Sequence, residues 1–363
     1  MNVNTQPNIL FLTHPEGDYG EAFLFGGLCT ALGHNHVFDY PLKVSYHGET
    51  AHYDIPEQNL YNGCTAPYPW FGNGWEGKGF PARTTLTTAQ EIREALENGF
   101  FDLVVMGSAR LGVLRAFMEL KDSLFEALNS GIPIAFHDGE DHDQLQWGTV
   151  SNCQVSHYLK RELSPVNPVR EEINGVSLIS FPFSAPDVMV PDVRKWKATP
   201  KEFDMVFLAG LSHPIRADVM RKLFDTAPAH FNNAFGMSEG SLHLLKGEQH
   251  PLKGFQEYAG ILSRSRVNVS CRGWGYDTCR FWESAVSSLL MADTPQIQMP
   301  FPYTPMKNCL YYNGLEEIES LVRFVDKNLK KVEDMGEACI RHTSTHHTNS
   351  TRALWLLEQV FNR

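Results

Sequence analysis

Short β-prone apolar runs alternate with segments of helical period, and they do so in two separate series. The first series holds Asn8–Thr13 (NILFLT), Val37–Asp39, Phe101–Met106 (FDLVVM) and Ile132–Phe136 (IPIAF) as strands. Helices are expected between them at Ala22–Leu32, Ala89–Glu97 and Ala116–Leu128. Gly33 suits a helix C-cap, Thr88 an N-cap, and Asn98-Gly99 and Ser130-Gly131 end their helices. The second series runs through strands at Phe203–Leu208, Phe231–Phe235, Val267–Cys271 and Gln296–Met299. Its helices are expected at Arg216–Phe224, Phe255–Leu262 and Thr278–Leu290, with a helical tail at Leu315–Lys330 and Thr351–Phe361. Strand-helix alternation of this kind builds parallel sheets covered by helices, and ligands then sit outside the carboxyl ends of the strands.

Residues 181–200 carry four prolines and little apolar period. This divides the chain into an N-terminal domain at 1–185, a linker at 186–200 and a C-terminal domain at 201–363. The expected class is α/β, two Rossmann-like domains facing across a cleft. Residues 43–83, rich in Gly, Pro, Tyr and Trp, interrupt the first series without a period. A structureless stretch this long is usually functional or disordered, and its aromatic content argues against disorder.

Chemistry is expected where strands end. The stretch Ser270–Ser284, SCRGWGYDTCRFWES, offers the richest set. Gly273 and Gly275 allow a ligand to approach the backbone. Asp277 or Thr278 can cap the following helix, whose first amides and dipole favour an anion such as a diphosphate. Arg280 suits bidentate contact with phosphate, and Glu283, one turn on, can accept two hydrogen bonds from a vicinal diol such as a ribose. The competing reading is a plain glycine turn with Arg280 and Glu283 paired to each other.

Ile134–Asp143, IAFHDGEDHD, has three readings. His137 with Asp138 can serve acid-base or electrostatic work, His137, Asp138, Asp141, His142 and Asp143 can bind a metal, or the loop is simply acidic surface. In HPEGDYG, Gly17 and Gly20 can turn amides toward an anion, with Asp18 or Glu16 as a base, or the segment is an ordinary strand-to-helix turn. In GLSHPIR, Gly210 opens the loop and Arg216 either aims at a phosphate or lies in solvent. His346, His347 and Arg352 are read as structural.

The net charge of -11 argues against a broad polyanion-binding face, which makes nucleic acid a less favoured partner. Seven scattered cysteines without CxxC spacing point to reduced thiols and a cytoplasmic protein. No apolar run approaches the roughly 20 residues of a membrane span, and no basic segment precedes the first apolar run as a signal peptide requires.

Taken in order, these motifs resemble a known family. EYAGILSRSRVNVSC, the glycine loop, TCRFWESAVSS, EEIESLVRFV and HTNSTRALWLL are similar to the C-terminal half of CgeB-like and exostosin-like glycosyltransferases. HPEGDYG, ALGHNHVFDYP, the strand ending in His137-Asp138, and YLKREL resemble the N-terminal half of two-domain GT-B enzymes. The resemblance implies a glycosyltransferase with a UDP- or GDP-linked sugar donor, no cofactor and no catalytic metal. The acceptor would be a saccharide, protein or small molecule, with the 43–83 segment shaping its site. Glu283 would hold the ribose; Arg280, the amides around Thr278 and Arg216 would hold the diphosphate; His137 would contact the transferred sugar, with Asp18 or Asp138 close to the reacting centre. One departure stands out. Many retaining members carry a second glutamate eight residues before the ribose-binding one, and here that position is Gly275. A binding protein without turnover, or a transferase acting on modified DNA bases, would be the alternatives.

Overall fold

The computed structural model describes residues 6–16, 18–43, 46–47, 85–165, 172–173, 175–210, 213–239, 242–245, 248–251 and 255–361. The 43–83 segment, apart from residues 43, 46 and 47, lies outside them, as does Gly17. The chain divides into two compact units, residues 1–182 with 349–363, and residues 183–348.

In the N-terminal unit, strands β1 (Ile9–Leu12), β2 (Val37–Tyr40), β3 (Leu103–Met106), β4 (Ile134–Asp138), β5 (His157–Lys160), β6 (Glu172–Ile173) and β7 (Val176–Ser180) form one sheet in the order β2-β1-β3-β4-β5-β7-β6. All its pairs are parallel except β6 with β7. Strand residues are apolar on both faces because both faces are covered. Ile9, Phe11, Leu103 and Val105 join the core under α1 (Tyr19–Leu32). Leu10, Leu12, Val104 and Met106 point the other way, into the core under α2 (Ala89–Glu97) and α3 (Leu111–Asn129). Thr88 and Glu91 close a capping box on α2, and Gly33, at φ 89°, ends α1 by donating its N–H to Cys29. The chain turns from β1 to β2 on one side and to β3 on the other, so the switch point lies between β1 and β3.

The C-terminal unit holds β8 (Phe203–Gly210), β9 (Asn233–Glu239), β10 (Leu242–Leu245), β11 (Glu248–Pro251), β12 (Ser265–Ser270), β13 (Leu289–Asp293) and β14 (Leu310–Tyr312), in the order β11-β10-β9-β8-β12-β13-β14. Its switch point lies between β8 and β12. Helices α6 (Ile215–Thr226) and α9 (Leu315–Lys327) pack together; α8 (Cys279–Ser287) packs on α7 (Phe255–Ser263) and on α10 (Leu329–His346).

Four sequence expectations change. The apolar run Leu289–Asp293 is strand β13, not the end of the preceding helix. Ser288 breaks the helix at φ -167°, and its Oγ bonds the carbonyls of Ser265 and Arg266 on the neighbouring strand. The expected strand at Gln296–Met299 is not formed. The proline-rich linker is part of the C-terminal unit. Asp192 caps a short helix, α5 (Val193–Ala198), which buries Trp196 against α10. The last helix, α11 (Asn349–Phe361), belongs to the N-terminal unit. Ala353, Leu356, Leu357 and Val360 enter the α1 core, and Gly27 on α1 lies so close to Asn349 that an added Cβ would stand 2.2 Å from its carbonyl oxygen.

Candidate active site

In the C-terminal unit the loop after β8 and the loop after β12 flank the switch point. Arg216, on the first turn of α6, is buried and ties the two together. Its Nη1 donates to Gly210 O (2.9 Å) and its Nε to Arg272 O (3.2 Å). It therefore fixes the loops rather than lying in solvent, and burial together with the Arg280 charge pulls its pKa down.

The glycine loop is pinned at several points. Gly273 N–H donates to Gly275 O (3.0 Å), and Arg272 N–H to Asp293 Oδ1 (3.0 Å). Asp277 is not the helix cap. Its buried carboxylate accepts from Phe183 N–H (2.6 Å) and from Trp282 Nε1 (2.7 Å). Thr278 is the cap of α8, accepting from Phe281 N–H at 3.3 Å. Helix α8 thus starts from the loop that follows β12, with its Phe281 amide capped by Thr278.

Arg280 and Glu283 lie one turn apart and form no ion pair with each other. Both meet the hydroxyl of Tyr258 on α7. Tyr258 donates to Glu283 Oε2 (2.7 Å) and accepts from Arg280 Nη1 (3.2 Å), while the Arg280 guanidinium lies 5.5 Å from the Tyr258 ring centre. Arg280 Nε is buried without a hydrogen-bond partner. Burial raises the Glu283 pKa, partly offset by Arg280 and Tyr258. Burial likewise pushes Asp293, at the end of β13, up to about 6. Tyr258 is a site residue that pattern reading passed over. It lies in EYAG on α7, and the packing of α7 on α8 brings its hydroxyl to both Arg280 and Glu283.

In the N-terminal unit, His137 is the penultimate residue of β4. Its Nδ1 donates to Gly107 O (3.0 Å), which fixes the tautomer and leaves Nε2 as the acceptor nitrogen. Burial lowers its pKa, with the nearby Asp18 and Asp138 charges opposing. Asp18 caps α1, accepting from Glu21 N–H at 3.0 Å. A Cβ built on Gly139 would lie 3.2 Å from His137 Cε1 and 3.8 Å from Asp18 Oδ1, so the two side chains line the same space. Asp138 does not share it. It is wholly buried, forms an ion pair with Lys160 Nζ (3.0 Å), and accepts from Tyr158 OH (2.5 Å), Glu140 N–H (3.2 Å) and Gln146 Nε2 (3.4 Å). Its carboxylate is spent on holding β4 to β5, which corrects the expectation that it serves the reacting centre. Among the described residues no group of three His, Cys, Asp or Glu side chains is placed to hold a metal.

A second buried polar cluster lies at the switch point between β1 and β3. Glu21, wholly buried on α1, accepts from Lys43 Nζ (2.8 Å), Tyr46 OH (2.9 Å) and Thr13 Oγ1, and sits 3.2 Å from His14 Nε2. Burial alone would raise its pKa. His14 and Lys43 more than reverse this and hold it at about 2. Gly107 makes room, since a Cβ there would stand 2.7 Å from Glu21 Cγ.

Residues 243–358 match the family model described as glycosyl transferase-like. No curated protein matches the chain in sequence. Among solved structures, HepE from Anabaena, in complex with UDP-glucose, aligns with 98% of this chain and 100% of its own at 10% identity, TM-score 0.56. Sucrose-phosphate synthase from Thermosynechococcus elongatus aligns over 98% and 99% at 11% identity, TM-score 0.51. A UDP-forming α,α-trehalose-phosphate synthase from Burkholderia xenovorans aligns over 99% of both chains at 8% identity, TM-score 0.52. The chain thus shares the GT-B fold of these structures, and its residues 243–358 match the glycosyl transferase-like family.

Proposed function

We propose that this protein transfers a sugar from a UDP- or GDP-linked donor to an acceptor hydroxyl. One observation supports the reading: on α8, the helix that follows the glycine loop, Arg280, whose Nε is buried without a hydrogen-bond partner, and the buried Glu283, one turn further along, meet at the Tyr258 hydroxyl. The diphosphate takes the α8 amides and Arg280, and the ribose diol takes Glu283, whose other partner is the Tyr258 hydroxyl. Arg216 ties together the loops that precede α6 and α8.

In the reaction the acceptor oxygen bonds to the anomeric carbon as the carbon–oxygen bond to the diphosphate breaks. The diphosphate leaves with the electron pair, and the hydroxyl proton passes to a base. Arg280 and the helix amides meet the charge that develops on the leaving group, so transfer proceeds without a metal. In the N-terminal unit His137, neutral because it is buried and already oriented by Gly107 O, is a polar group suited to a sugar hydroxyl, with Asp18 beside it.

Gly275 stands where a second glutamate is carried in retaining relatives, which favours one further reading, a binder without turnover. Incubating the protein with UDP-glucose, UDP-N-acetylglucosamine and GDP-mannose separates the two. Slow release of the nucleoside diphosphate is expected for a transferase. Saturable binding with no release at all would favour the binder.

A further inference from the structure

Trp274 is the most exposed large apolar side chain among the described residues, at 73%, and it stands in a loop held by several hydrogen bonds. A lone exposed aromatic needs no explanation, but this one is presented in a fixed way. Its neighbours are held by Gly273 N–H to Gly275 O, Arg272 N–H to Asp293, Arg272 Nη1 to Tyr276 OH, and Asp277 to Phe183 and Trp282. Its ring meets the edge of His213, from the loop after β8, at 5.6 Å and 83°, which orients the indole face. Arg272 and Tyr276, two residues to either side, line a cavity of about 190 Å³ with Asp293, Gln296 and Asn313. An oriented aromatic face, two residues along the chain from each of two residues that line a cavity with carboxylate and amide groups, is a combination suited to a sugar ring, whose C–H face is apolar and whose edge is all hydroxyls.

We propose that Trp274 is a specificity-determining platform that stacks on a pyranose ring, whose hydroxyls are met by Asp293, Gln296 and Asn313. The ring belongs either to the donor sugar or to a saccharide acceptor, and the inference rests on the glycosyl-transfer reading above.

The test uses full-length protein labelled with 5-fluorotryptophan, with the Trp274 fluorine signal assigned by its loss in Trp274→Phe. The probes are UDP, GDP, UDP-glucose, GDP-mannose, glucose and maltose, and the melting temperature is followed in parallel. A shift with a nucleotide sugar beyond that with its nucleoside diphosphate assigns the donor ring. A shift with glucose or maltose in the presence of UDP or GDP assigns the acceptor ring. Trp274→Ala should weaken the responding probe about two- to tenfold while Trp274→Phe keeps most of the affinity. If UDP or GDP stabilises the protein but the signal moves with no probe, or moves as much with the bare nucleotide as with its sugar and with no saccharide, the platform is refuted and the transfer reading survives. If no nucleotide raises the melting temperature, the transfer reading falls and the platform with it.

Discussion

Replacing Glu21 with Gln probes the polar cluster under the first switch point. The substitution keeps the shape and removes the charge that faces Lys43, itself only 3% exposed. Holding a buried carboxyl at about 2 instead of 4.5 is worth about 3 kcal/mol. Breaking a buried ion pair from one side typically costs about 3–5 kcal/mol, a consistent figure. The sign follows from the lowered pKa. The contribution is fully present above pH 4.5, where the unfolded chain's Glu21 is also ionised, and is lost as pH falls through 4.5 toward 2. Glu21→Gln should therefore lose about 3 kcal/mol at pH 7 in urea unfolding, with a smaller difference from the parent at pH 3. The two units need not unfold together, so the fit is made to the transition that the substitution moves. Equal stability of the two proteins at pH 7, or a deficit that does not shrink with acid, would refute the account of Glu21 as a charged hub.

Three further outcomes are expected. Gly107→Ala places a methyl 2.7 Å from Glu21 Cγ and 2.9 Å from Phe11 Cε1, so thermal unfolding should show a loss of about 1–3 kcal/mol; no loss would mean that the cluster relaxes freely. Tyr258→Phe removes the hydroxyl shared by Arg280 and Glu283 and should weaken nucleoside diphosphate binding by about tenfold in calorimetry; unchanged affinity would detach Tyr258 from the site. Asp293, raised to about 6 from 3.8, opposes folding when ionised, so it costs most stability above pH 6 and the cost disappears as pH falls below 3.8. Asp293→Asn should therefore be more stable than the parent at pH 8 and lose that advantage by pH 3.5, as read from urea midpoints.

Where local chemistry decides, the fold was legible. Thr88 and Glu91 announce a helix start, Gly33 announces a helix end, and the apolar runs around Leu10, Val104 and Val206 announce strands covered on both faces. Misreadings arose where packing overrode pattern. Leu289–Asp293 carries no breaker ahead of it, and only the pairing of β13 between β12 and β14 makes it extended. The prolines of 181–200 suggested a linker, yet Asp192 and Trp196 suffice to dock a helix there. Nothing in NSTRALWLLEQVF says on which unit it packs.

The site divides in the same way. Arg280, Glu283 and Thr278 could be named because helix spacing puts them on one turn after a glycine loop. His137 could be named because it lies at the carboxyl end of a strand. Asp138 ends the same strand, but Tyr158 and Lys160, about twenty residues on, claim its carboxylate. The Glu21 hub draws on Thr13 and His14 from one segment and Lys43 and Tyr46 from another, and no spacing rule connects them.

The central claim is that Glu283 and Arg280 hold a nucleoside diphosphate. Calorimetric titration of UDP and GDP into the parent and into Glu283→Ala tests it directly, with circular dichroism to confirm that both are folded. The account predicts that one of the two nucleotides binds the parent and binds Glu283→Ala about tenfold to a hundredfold more weakly, the value of charge-assisted hydrogen bonds to a ribose diol. Equal affinity of parent and variant would contradict it.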